Sequence, residues 1–239
     1  MIETTNSASS PARYKLIAFD AYGTLFDVYS MGELAEEIFP GHGQALSLMW
    51  RDRQIDYTRL VTLSDPNPAG SKHYLSFWDL TIRSLHYVCK RMGLVLSAAN
   101  ERSLMAQYAK LTGFDDSLMV LKTIKERGIS TAILSNGSKE MLATVVDSNG
   151  LKPYLDKVLT IEDIRLFKTA PQAYELLLKA FSVSKDEILF VSSNAWDVLA
   201  AKWFGFDVFW VNRLGHPFEE IGDQPNYEGR SLSKVLEVI

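Results

Sequence analysis

The stretch LIAFDAYGTLFD, residues 16–27, holds an apolar run, a carboxylate, a Gly-Thr turn and a second carboxylate. Leu16–Phe19 is short, unbroken and apolar, the pattern of a strand covered on both faces. Asp20 falls where that strand ends, and Gly23-Thr24 supplies the turn beyond it. In open α/β sheets ligands bind outside the carboxyl ends of the strands, so a carboxylate there is placed for chemistry. Two positions on stands Tyr22, where a second acid could have been.

Beyond the turn the rhythm becomes helical from about Ser30 to Thr112. GQALSLMWRDRQIDYTRLVTL carries Leu46, Met49, Trp50, Ile55 and Leu60 mostly three to five apart, and HYLSFWDLTIRSLHYVCKRMGL continues the pattern. SAANERSLMAQYAKL opens on Ser97, a helix cap, with Glu101 shortly after. SDPNPAG, residues 64–70, is a loop. After Thr112 helices and strands alternate. Helices are predicted over 117–127, 139–148, 171–181 and 194–204, and strands over 130–134, 157–159, 188–191 and 208–211, with Gly128, Gly150 and Gly205 at helix ends. This alternation predicts an α/β fold: a parallel sheet with helices on both faces. The helical block is then a separate insertion. Residues 14–28 plus 113–239 form the core domain, 29–112 a helical cap, and the polar, Ser/Thr-rich residues 1–13 a disordered tail.

With 239 residues, 47% hydrophobic and 23% charged, the chain can bury a sizeable core. Its net charge is −4 and it has no basic block, which weighs against nucleic acid as a partner. It contains no run of about 18 apolar residues, so no membrane span is expected and the cytoplasm is the expected location. The single cysteine, Cys89, permits no internal disulfide and reads as a packed thiol on an amphipathic helix. His42, His73, His86 and His216 show no paired ligand spacing. Asp27, Asp52 and Asp56 read as solvated or capping residues.

Each predicted strand hands over to a polar cluster: DAYGT after Phe19, SNGS after Leu134, FKTAPQAY past the third strand, SSNAWD after Val191. Turn chemistry explains any one of them. It explains poorly why one carries an Asp, one a Ser-Asn pair, one a Lys and one an Asn plus Asp. Together DAYGTLFD, LSNGS, FKTAPQAY and SSNAWD resemble the four motifs of the haloacid dehalogenase superfamily, and within it the L-2-haloacid dehalogenases. The resemblance runs from Tyr14 onward and includes WRDRQIDYT in the cap. It implies a Rossmann-like core with an inserted helical cap.

The phosphatases of that superfamily carry Asp-x-Asp in the first motif and further acids in the fourth, which hold Mg²⁺, a hard ion that takes oxygen ligands. Tyr22 replaces the second Asp here, and Ser192 and Asn194 stand where a Gly-Asp pair would be. A halide leaves as an anion without needing a proton, so the resemblance implies displacement at carbon with no metal and no cofactor. Short (S)-2-haloacids, such as a haloacetate or 2-chloropropionate, become (R)-2-hydroxy acids plus halide through an aspartyl ester. By resemblance Asp20 is the nucleophile, and Asp197 with Lys168 prepares the water. Lys168 also offsets the charge between the two acids. Thr24, Ser192 and Asn194 hold Asp20 and help form the oxyanion site. Ser135 and Asn136 receive the substrate carboxylate, Arg51 accepts the departing halide, and Tyr174 supports Lys168. Tyr22, Ile55, Phe77 and Trp196 line an apolar pocket. Composition alone leaves Arg53 and Arg59 as rivals to Arg51, and the motif match selects Arg51. The resemblance further implies a homodimer. The alternatives are a superfamily phosphatase acting on a small phosphate ester, or a binding protein on a retired catalytic fold. SDPNPAG lengthens a cap connection relative to the family and is expected to be a surface insertion.

Overall fold

The computed structural model describes residues 13–239. Residues 1–12 of the expected tail lie outside the described residues. Arg13, assigned to that tail, donates to the Asp207 carboxylate at 2.5 Å and lies over the Tyr14 ring.

Six parallel strands form one sheet in the order β3-β2-β1-β4-β5-β6. They are β1 (Leu16–Phe19), β2 (Ser130–Ser135), β3 (Lys157–Thr160), β4 (Ile188–Ser192), β5 (Asp207–Val211) and β6 (Tyr227–Gly229). β1 lies between β2 and β4, with Leu16 in register with Ser130 on one side and Ile188 on the other. All four of its residues are buried, because successive side chains point to opposite faces and both faces are covered. Ile17 and Phe19 join the core that includes Val120, Leu121 and Ile124 of α5 (Ser117–Glu126) and Met141, Leu142 and Val145 of α6 (Lys139–Ser148). Leu16 and Ala18 pack with Tyr174 and Leu177 of α7 (Pro171–Ala180) and with Val198, Leu199 and Ala201 of α8 (Ala195–Phe204).

β2, β3 and β4 each run one residue past the predicted end, into Ser135, Thr160 and Ser192. Ladder pairing uses backbone groups, so a polar side chain continues it without apolar patterning. The short strand β6 was not expected; three residues carry too little alternation to be read. α8 ends at Gly205, whose φ of +106° is the left-handed cap conformation that glycine adopts without strain.

Four helices fall between β1 and α5: α1 (Met31–Ile38), α2 (Gly43–Leu63), α3 (Phe77–Arg91) and α4 (Ala98–Ala109). Along α2 Leu46, Trp50, Gln54, Thr58 and Thr62 are buried at intervals of four, one inward stripe. Ser97 caps α4 as predicted, accepting from the Asn100 N–H at 3.1 Å. Cys89 is buried and its thiol is pushed up to about 11 by burial, as a packed thiol requires. The 64–70 segment does not simply overhang solvent. The Ser71 N–H donates to the Arg165 carbonyl at 3.2 Å, and a Cβ on Gly70 would come within 2.8 Å of Arg165 Cβ. The loop is therefore seated against the chain that leads into Lys168. No helix among the described residues is long and apolar enough to cross a membrane.

Candidate active site

β1 delivers Asp20 to the carboxyl edge of the sheet, beside the end of β4, where the strand order reverses and a crevice opens. The Asp20 N–H donates to the Val191 carbonyl at 2.9 Å, so the backbone continues the ladder while the side chain turns into the site. Asp20 Oδ2 accepts from Thr24 Oγ1 at 3.1 Å and from Asn194 Nδ2 at 2.8 Å. Asp20 Oδ1 accepts from Lys168 Nζ at 3.1 Å. Thus the carboxylate is only 6% exposed yet fully engaged.

Lys168 Nζ also donates to Asp197 Oδ2 at 2.9 Å, and Tyr174 Oη donates to Asp197 Oδ1 at 2.7 Å. One ammonium thus bridges two carboxylates in a buried site. Burial by itself would lower the Lys168 pKa, but Asp197 and Asp20 outweigh it and hold the ammonium above its ordinary range. Burial pushes Asp197 up to about 6, with Asp20 adding to the shift, while the Lys168 ammonium and the Tyr174 hydrogen bond pull it back. Tyr174 itself is held well above 10, first by burial and then by Asp197, so it stays a donor. Asp197 lies in the first turn of α8, where the helix dipole favours an anion.

Asn194 precedes that helix, and its amide is fixed at both ends. Its Nδ2 reaches Asp20 and the Tyr22 carbonyl (3.2 Å), while its Oδ1 accepts from Arg51 Nη2 at 2.8 Å. The same Arg51 nitrogen donates to the Tyr22 carbonyl at 3.1 Å. Of the three arginines of α2, Arg51 is the one that bonds to the groups around Asp20. Arg53 pairs with Asp56 and lies over the Tyr87 ring, and Arg59 lies over the Trp196 ring.

After β2 the Ser135 hydroxyl accepts from the Gly137 N–H at 3.1 Å, and Asn136 Oδ1 accepts from the Lys168 backbone N–H at 2.9 Å. Asn136 therefore ties its loop to the Lys168 segment. Phe77, at the start of α3, stacks obliquely on Tyr22 with ring centroids 5.9 Å apart, and both are buried. Ile55 and Trp196 line an outer cleft of about 530 Å³ together with Arg51, Arg59, Asn194 and Arg213. Asp20 does not line this cleft; it is joined to it through the Asn194 amide.

Two placements differ from the sequence reading. The Ser192 hydroxyl is not hydrogen-bonded to Asp20; its Oγ accepts from the Asn194 N–H at 3.1 Å, one step removed. The neighbouring Ser193, which sequence reading missed, packs on Thr24 instead. Its N–H donates to Thr24 Oγ1 at 2.8 Å and its Oγ donates to the Gly23 carbonyl at 2.6 Å. Side chains alternate at a strand end, so adjacent serines face opposite ways, and that alternation was the available signal. Gln54 and Tyr108 were also missed. Tyr108 stacks on Tyr22 at 5.7 Å and bonds to Gln54 at 3.2 Å, bracing the aromatic wall from the helical insertion.

Among the described residues no three His, Cys, Asp or Glu side chains gather as a metal site. What lies between Asp20 and Asp197 is the Lys168 ammonium. The arrangement can present one held carboxylate oxygen to an electrophile, with a second carboxylate beside it to take a proton.

A family model described as haloacid dehalogenase-like hydrolase matches residues 14–205. The chain is 40% identical over 224 residues to an (S)-2-haloacid dehalogenase of Pseudomonas sp. (strain YL), covering 94% of each chain. A crystal structure of an L-2-haloacid dehalogenase superposes with a TM-score of 0.91 at 47% identity, covering 95% of this chain and 98% of that one. The Xanthobacter autotrophicus L-2-haloacid dehalogenase with chloropropionic acid covalently bound superposes at 0.84 with 30% identity, covering 94% and 97%. With its four motifs at four strand ends and a match across most of its length, the chain belongs to the haloacid dehalogenase-like hydrolases.

Proposed function

We infer that the chain hydrolyses short (S)-2-haloacids to (R)-2-hydroxy acids and halide, without a metal. The observation that carries this reading is the Lys168 ammonium bridging Asp20 and Asp197, with Tyr22 where a phosphatase of this superfamily places its second acid.

In the first step an Asp20 carboxylate oxygen bonds to C2 as the carbon–halogen bond breaks. The bonding pair leaves with the halide, and an aspartyl ester forms. Burial strips water from a nucleophile that is weak in water, and the held geometry aligns it. Attack from the face opposite the halogen inverts C2. Arg51 receives the halide, and Ser135 and Asn136 receive the substrate carboxylate. In the second step Asp197 takes a proton from water as the water oxygen adds to the ester carbonyl carbon. Thr24 and Asn194, which both donate to Oδ2, stabilise the oxyanion, and Lys168 offsets the charge between the two acids. Collapse breaks the bond between the Asp20 carbonyl carbon and the ester oxygen; the proton held by Asp197 passes to that leaving oxygen to release the hydroxy acid, the second water proton goes to solvent, and the Asp20 carboxylate is restored. Ser192 acts through the Asn194 backbone, Tyr174 through Asp197, and Tyr22, Ile55, Phe77 and Trp196 keep the alkyl group dry.

Residues 29–112 act as the cap over this site, carrying Arg51, Ile55 and Phe77. A homodimer is proposed through the outer face of α2 and α3, where Leu60 and Tyr87 are exposed beside an apolar groove; sedimentation velocity tests it.

The test is free halide from fluoro-, chloro- and bromoacetate and from both enantiomers of 2-chloropropionate, with and without EDTA. Halide from the S enantiomer, undiminished by EDTA, is expected. Phosphate-ester hydrolysis lost in EDTA would establish the phosphatase alternative. Asp197→Asn should trap the ester on Asp20, seen as a mass gain on the intact protein. Near-normal turnover in that variant would remove Asp197 from the hydrolysis step.

A further inference from the structure

Among the described residues two buried side-chain polar atoms have no hydrogen-bond partner, Arg213 Nε and Tyr22 Oη. Arg213 is otherwise well used: its Nη2 bonds to Asp116 and to the Thr24 carbonyl, and its guanidinium lies over the Phe114 ring. The Tyr22 side chain has no other polar group. Leaving a buried hydroxyl unpaired costs about 1–3 kcal/mol. The ring packs against Phe26, Phe77 and Tyr108, contacts that a phenylalanine would make equally well. The packing therefore gives no reason for the hydroxyl.

The position of the hydroxyl supplies one. The Tyr22 ring lies close to Gly137, where an added Cβ would stand 2.8 Å from Cε2 and 3.4 Å from Oη. Gly137 directly follows Ser135 and Asn136. The Ser135 hydroxyl already accepts from the Gly137 N–H, so its own proton is left to donate outward. The Tyr22 hydroxyl thus ends beside the loop to which the proposed function assigns the substrate carboxylate. Burial first, and the nearby Tyr108 and Asp20, keep the phenol well above 10, so it is a donor throughout the working range. We propose that the Tyr22 hydroxyl donates a hydrogen bond to the carboxylate of the bound 2-haloacid, opposite Ser135, and so selects for an acid. Without ligand the hydroxyl is unpaired, and the ligand completes it. The chain accepts a stability cost for a polar group whose partner arrives with the substrate.

This rests on the dehalogenase reading, and the experiment separates the two. Tyr22→Phe keeps the ring and removes only the hydroxyl. KM for (S)-2-chloropropionate and the inhibition constant of unreactive propionate should rise together by about tenfold, more than kcat falls. That factor corresponds to one hydrogen bond to a charged group. The thermal midpoint of the free variant should equal or exceed that of the unsubstituted protein, which a merely structural role would not give. Independently, in protein carrying ¹³Cζ-tyrosine, the Tyr22 signal should shift when propionate is added. KM and inhibition constant within twofold of the unsubstituted protein, or a ¹³Cζ signal unmoved by saturating propionate, would overturn the proposal while leaving the dehalogenase reading in place. If the unsubstituted protein releases no halide from any 2-haloacid, the dehalogenase reading falls first and this proposal with it.

Discussion

Replacing Lys168 by Met removes the cation between Asp20 and Asp197 while keeping an unbranched side chain of similar reach. In the structure Nζ lies 3.1 Å from one carboxylate and 2.9 Å from the other, fully enclosed. Breaking a buried ion pair from one side costs about 3–5 kcal/mol, because the remaining charges stay buried without compensation. Here two like charges remain, so one of them should take up a proton. Asp197 already titrates near 6 with the ammonium present, and the pair in the variant should hold its extra proton to higher pH still. The sign follows from linkage. The folded pKa is raised above the unfolded value, so the stability it confers is present below the unfolded pKa and is lost as pH rises through the folded one. The stability gap between Lys168→Met and the unsubstituted protein should therefore widen from pH 5 to pH 8, by up to about 1.4 kcal/mol per unit. Urea denaturation at each unit of pH measures it. A gap below about 1 kcal/mol at pH 8, or one equal at pH 5 and pH 8, would refute the assignment of Lys168 as the compensating charge. Turnover should fall by about 10³-fold or more, since neither step keeps its charge balance.

Three further outcomes are expected. Hydrolysis of the aspartyl ester, followed by mass spectrometry in single turnover, should slow about tenfold per pH unit as Asp197 protonates, at a pH below the value of about 6 that it has beside an ionised Asp20, because the ester removes the charge that helps to raise it; a profile flat from pH 3 to 8 would deny it the base role. Arg51→Ala should lower kcat by about 10²–10³, more for chloride than for bromide as leaving group; an equal loss for both would place halide reception elsewhere. Ser193→Ala should cost about 1 kcal/mol of stability through the lost bond to the Gly23 carbonyl, and, because the Ser193 N–H still donates to Thr24, leave kcat within about twofold; a tenfold fall in kcat would give the Ser193 hydroxyl a part in positioning Asp20.

What the sequence determined by itself was local in origin. Leu16–Phe19 reads as a doubly buried strand because no polar residue interrupts it, and α6 matches its predicted span, residues 139–148, because Ser138 caps it and Gly150 follows it. The alternation after Thr112 dictated a parallel sheet, and the polar cluster at each strand end located Asp20, Ser135, Lys168 and Asn194. The strand order, which sets β1 against both β2 and β4, was decided by long-range pairing and brings Asp20 beside Asp197, 177 positions apart in number. Spacing places Arg51, Arg53 and Arg59 on one helix and the motif match selects Arg51, but only packing shows that it reaches Asn194 while the other two lie elsewhere. Tertiary structure likewise gave Thr24 to Ser193 in place of Ser192, braced Tyr22 with Tyr108 and Gln54, and seated Gly70 against Arg165. Periodicity reports which face of an element is buried, whereas a hydrogen bond depends on where two distant elements meet, and that is fixed only when the whole core closes.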